Sequence, residues 1–183
     1  MVNNTGSDLR ITNFLPQVYD DEGHAISDQD DVTFPWGFEW LTVVSVAPEG
    51  HLPFSFIIDL FDDVGLASIE DHYDILIETE LAEPTRDDLQ VPSPDGDESD
   101  WPYDYYVAGT YTNPGLILEQ YVAIIVTLYD DDGLVIGVGG QLETDSAYLQ
   151  DPEHDFNIDV EMWEVTFDLE LYVGNFKVQL LAQ

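Results

Sequence analysis

Apolar residues recur with period two along short stretches of this chain, and helical periodicity is almost absent. Val122, Ile124, Val126 and Leu128 fall on one face of one such stretch. Phe156, Ile158, Val160 and Met162 share a face of another, with Asn157, Asp159 and Glu161 opposite. Phe54, Phe56, Ile58 and Leu60 repeat the pattern earlier in the chain. Turn signals at Asp21–Gly23, Pro48–Gly50, Pro114–Gly115, Asp132–Gly133 and Gly174–Asn175 punctuate the stretches. The pattern predicts an all-β chain of half-buried strands.

One stretch breaks the alternation. Residues 83–102, EPTRDDLQVPSPDGDESDWP, combine four prolines with seven carboxylates. Such a composition reads as a linker, stiffened by Pro and extended by self-repulsion. It leaves a first unit at 1–82 and a second at 103–183. The two units look duplicated. Asn4-Thr5-Gly6 leads to Val18-Tyr19-Asp20-Asp21-Glu22-Gly23, and Asn113-Pro114-Gly115 leads to Leu128-Tyr129-Asp130-Asp131-Asp132-Gly133. Pro48-Glu49-Gly50 with Phe54 corresponds to Pro152-Glu153 with Phe156, which also sets His51 near His154. Tyr73-Asp74-Ile75-Leu76-Ile77 then matches Phe176-Lys177-Val178-Gln179-Leu180. Ordered landmarks at an offset near ~105 residues are the mark of an internal repeat.

These landmarks resemble the FxLYD family, small Ig-like β-sandwich domains of bacterial and archaeal secreted and surface proteins, often in tandem. Val126-Thr127-Leu128-Tyr129-Asp130 is the close match. Val18-Tyr19-Asp20 departs at the Leu and follows Pro16, which suits an edge strand or a bulge. The resemblance implies two tandem Ig-like antiparallel sandwiches and an extracellular or cell-surface location, and it brings no catalytic residues. Independently of it, an Asp-Asp-x-Gly turn supplies carboxylate caps and a glycine for positive φ. Tyr19 and Tyr129 are expected to bury their rings with the hydroxyls at the rim.

Charge narrows the function. With 39 acidic residues against 3 basic ones, the formal charge is −36. Nucleic-acid binding needs clustered Lys and Arg and is excluded on that ground. A hydrophobic content of 44% with 13% aromatics excludes an acidic disordered tail. The absence of cysteine removes disulfides and thiolate chemistry. The apolar runs are strand-sized, so no membrane insertion is expected. Self-repulsion of the acidic groups is relieved by salt, by divalent cations or by a basic partner.

Calcium is the one cofactor the pattern admits, through the Asp95, Asp97, Ser99 and Asp100 run, with the acidic turns as weaker oxygen clusters. His24, His51, His72 and His154 show no metal-ligand spacing. Carboxylate pairs are too numerous to mark acid–base catalysis, which needs a fixed separation in a cleft. Trp36, Phe38, Trp40, Trp101 and Tyr103 form an aromatic platform suited to an interface or a glycan. The expected function is a non-enzymatic structural or adhesive module of a prokaryotic cell-surface assembly or filament, with protein partners or self-assembly. The alternative is a calcium-dependent or glycan-binding surface module. With Asn4 set against Asn113, the first unit lacks its N-terminal strand. Two explanations are open: the chain is cut from a longer array, leaving a frayed first unit, or a segment supplied in trans, either Phe176–Leu180 or the linker, fills the gap.

Overall fold

A computed structural model describes residues 1–19, 23–25, 32–33, 42, 44–54, 57–58, 73–86, 89–98, 104–113, 121–144, 152–161 and 173–182. The strands are β1 (Leu9–Val18), β2 (Val32–Thr33), β3 (Ser45–Val46), β4 (Ile57–Ile58), β5 (Tyr73–Leu81), β6 (Asp95–Glu98), β7 (Asp104–Thr112), β8 (Val122–Tyr129), β9 (Val135–Glu143), β10 (Glu153–Glu161) and β11 (Asn175–Ala182). All sheet pairings are antiparallel. The chain is all-β, built from several short sheets, as the alternation predicts.

One three-stranded sheet in each half shares a strand arrangement. In the first, β1 lies between β3 and β5; in the second, β8 lies between β9 and β11. The registers correspond as well: Val18 pairs with Tyr73 and Leu128 with Phe176, the residues the sequence landmarks set side by side. Among the described residues Pro16 pairs with Ile75 of β5 alone, β3 reaching only Leu9 and Arg10, and β1 shifts register against β5 between Ile11 and Asn13. The acidic turn after β8 closes as expected. Asp130 Oδ1 accepts from the amides of Asp132 (3.0 Å) and Leu134 (2.8 Å), and Gly133 takes a φ of 83°.

The entry to each half differs by one residue from the sequence alignment. Asn3, not Asn4, is the counterpart of Asn113. Both are buried, and the Asn3 amide donates to Gly50 O while that of Asn113 donates to Pro152 O, each at 3.0 Å. Leu52, rather than His51, therefore corresponds to buried His154. The Asn3 side-chain amide reaches Ser7 O, Val46 O and Ala47 O, tying the first loop to the end of β3. Met1 and Val2 are already paired to Leu52 and His51. Neither segment expected to act in trans is free. β11 pairs along its whole length with β8, and β6, from the linker segment, pairs with β7.

Burial explains the arrangement. The sequence pattern marks only one face of β8 as apolar, but seven consecutive residues, Val122–Leu128, are buried. Val122, Ile124, Val126 and Leu128 join Val107, Tyr111, Phe156, Ile158 and Val160 in one core. Ala123 and Ile125, on the opposite face, join Ile11, Phe14, Val44, Val46 and Leu52 in another. The sheet of β9, β8 and β11 is thus a middle layer, covered on one face by the first half and on the other by β7 and β10. A near-continuous apolar run is what such double burial requires. On β10 the expected alternation holds, with Phe156, Ile158 and Val160 buried and Asn157 and Asp159 exposed. Met162, Phe56 and Leu60 lie outside the described residues.

The acidic segment that follows β5 runs along the body. Ala82 N donates to Asp8 O, Arg86 N to Ala182 O and Arg86 Nη1 to Asn113 Oδ1. Gln90 bridges to Thr112, and Leu89 and Val91 pack on the second core. β6 then lies over aromatic rings: a Cβ on Gly96 would stand 2.8 Å from both Tyr105 and Phe176. Only glycine allows that approach.

A buried polar contact joins the first half to the middle sheet. Tyr121, just before β8, accepts a hydrogen bond through its hydroxyl from the Ser45 amide of β3 at 2.8 Å, in a buried setting. Tyr121→Phe leaves that N–H without its partner in the core. We expect a loss of about 1–2 kcal/mol in denaturant unfolding, with the ring packing intact. A loss within error would mean that water reaches Ser45.

Candidate interaction surfaces

The residues singled out by sequence separate in space. Asp95 and Asp97 are exposed on β6, opposite Ala108 and Tyr106 of β7, and these in turn face Asn157 and Asp159 of β10. They stand on the outer face of a sheet, where the DxDxSD spacing suggests a loop. Ser99 and Asp100 lie outside the described residues, as do Trp36, Phe38, Trp40, Trp101 and Tyr103 and the turns at Asp20–Glu22. Among the described residues no group of three or more His, Asp or Glu side chains converges as metal ligands do. His24 and His51 are exposed, and buried His154 stacks on Tyr111 with ring centroids 4.7 Å apart. Tyr19 and Tyr129 are half-buried, and the Tyr19 hydroxyl donates to Gln17 Oε1. No helix among the described residues is long and apolar enough to cross a membrane.

Two surfaces that the sequence does not single out come forward. The first is the edge formed by β5. This strand closes its sheet, and among the described residues only β1 pairs with it. Its inner residues Ile75 and Ile77 pack on the first core, while Leu76 and Leu81 remain 53% and 76% exposed. Leu76 sits opposite Leu15 in register and is flanked by exposed Asp74 and Glu78. Further along, Glu80 pairs with Arg10 in an exposed ion pair of little energetic weight. A long strand edge with exposed leucines is a template for strand addition, and the carboxylates guard it.

The second surface is a cleft of about 370 Å³ where the first half stops short of covering the middle sheet. Thr127, Tyr129, Val135, Lys177 and Gln179 form its floor. The register explains why. On the covered end of this face stand Leu181, Ala123 and Leu142; two rows along stand Lys177, Thr127 and Val138, and then Asn175, Tyr129 and Val135. The face turns from apolar to mixed where its cover ends. Val2, His51 and Pro53 are part of the wall, which Gln179 Nε2 holds by donating to His51 O at 2.8 Å. The Met1 amino group, donating to Leu52 O, is pushed below its ordinary pKa by burial.

Comparison with known proteins identifies no relative: no family model, no curated protein and no solved structure matches this chain.

Proposed function

We propose that this chain is a non-enzymatic structural or adhesive module of an extracellular or cell-surface assembly, its halves two Ig-like units related by duplication. The observation that carries the reading is the β5 edge, unpaired on its outer side among the described residues, with Leu76 and Leu81 exposed on a body whose two halves share one buried core. A body with an open strand edge that carries leucines between carboxylates is suited to edge-to-edge growth once those carboxylates are screened. The −36 charge holds copies apart at low ionic strength, and screening within about 10 Å at ~0.1 M salt lets the edges meet. Association should therefore rise with salt in sedimentation velocity, and Leu76→Lys should leave the protein monomeric at every salt concentration. A wild-type protein that stays monomeric at high concentration and high salt would remove the basis of the assembly reading.

A calcium-dependent module is the second reading, favoured by Asp97 and Asp159 flanking Tyr106 across one exposed row. Calcium that raises the melting temperature beyond sodium at matched ionic strength would support it by mass action. Equal responses would reduce the ion to a screening agent.

A further inference from the structure

We infer that the cleft between the first half and the middle sheet binds a small carboxylate whose body has one apolar face, with Lys177 as the charge partner. Three observations converge on it. Only Arg10, Arg86 and Lys177 are basic in this chain. Arg10 is engaged by Glu80 and Arg86 is tied to Asn113, whereas Lys177 is exposed at the cleft floor and among the described residues forms no ion pair. Among the described residues the site thus holds an exposed cationic side chain with no carboxylate partner of its own. Beside it stand Val2 and Val135, 46% and 55% exposed, two of five large apolar side chains open to water among the described residues. An apolar wall beside a single fixed charge is the pattern of a small-molecule pocket, and about 370 Å³ lies at the small end of the usual range. Tyr129 adds an aromatic ring and Thr127 a hydroxyl to the same floor.

The acidic surface opposes any anion at long range, so charge selects against extended polyanions. A compact monocarboxylate meets that field least, and physiological salt screens it beyond about 8 Å. The Lys177–carboxylate contact is formed at short range in a partly desolvated cleft and survives that screening. Two sources share the chemistry: a sugar acid, with its C–H face on Val135 and Tyr129, and an aryl or alkyl carboxylate.

Titration of the whole chain at 0.15 M salt, followed by NMR or calorimetry, tests the site with glucuronate and phenylacetate against their neutral partners glucose and 2-phenylethanol. At least one carboxylate should bind with a Kd of about a millimolar, as expected for some dozen heavy atoms. Its neutral partner should bind at least about tenfold more weakly, and Lys177→Gln should erase the difference. Val135→Asp, on the exposed rim, should abolish binding without unfolding the chain. Glucuronate alone binding assigns a sugar acid; phenylacetate alone assigns an aryl carboxylate. Failure of both below about 50 mM, equal binding of the neutral partners, or an unchanged Lys177→Gln would overturn the inference. Self-association that Lys177→Gln abolishes and neither carboxylate competes would place a second copy's acidic group in the cleft, and would overturn it too.

Discussion

Ile125→Ala is expected to lower the stability of the whole chain by about 3–4 kcal/mol, the cost of a cavity in a well-packed core. Ile125 is fully buried in the middle sheet and packs with residues of the first half. Its neighbours Ile124 and Val126 point into the other core. A cavity on one face loosens the strand that both cores share, so denaturant unfolding should remain one transition that moves as a unit. Two independent sandwiches would behave otherwise, with one transition shifting and the other staying in place. Calorimetry of the wild type and the variant distinguishes the outcomes; a split transition would show that the shared sheet does not couple the halves.

Gly139 is the second sensitive position. Here β9 comes so close to β10 that an added Cβ would lie 2.9 Å from Val160 Cγ2 and 3.0 Å from the Asp159 carbonyl. Backbone cannot yield as a flexible side chain can. Gly139→Ala should cost about 1–2 kcal/mol and Gly139→Val about 3 kcal/mol, because the larger residue forces the sheets apart. The order of the two losses is the informative measurement. If Val were tolerated as well as Ala, the two sheets would not be in register-locked contact at this point.

Much of this architecture is legible in the sequence, and the gaps have physical reasons. Period two in Phe156–Val160 gives strand and face together, because one side of β10 meets water. The Leu128-Tyr129-Asp130 and Val18-Tyr19-Asp20 landmarks fall at the ends of β8 and β1, the central strands of two sheets, and after β8 the turn chemistry is local. Period two is less informative for β8, where Ala123 and Ile125 make both faces apolar; the unbroken run was the signal of double burial. The composition of 83–102 describes its exposed side chains but conceals Leu89, Val91 and Gly96, whose packing holds its described residues against the body. The one-residue shift from Asn4 to Asn3 arises because adjacent asparagines look alike until one of them is buried and bonded. The cleft was beyond sequence reading altogether. Its residues come from five stretches, near 1, 51, 127, 135 and 177, and are neighbours only after the layers pack.

Synthesis proceeds from the N-terminus, and the middle layer imposes an order of events on it. β11 puts Leu181 into the first core and Ala182 into the second, so both cores wait for a strand near position 180. Until that strand emerges, Ile11, Phe14, Val44 and Val46 have only part of their eventual cover. The first core is therefore completed only when strands of the second half arrive, and the strong negative charge of the chain opposes its association with neighbours until then.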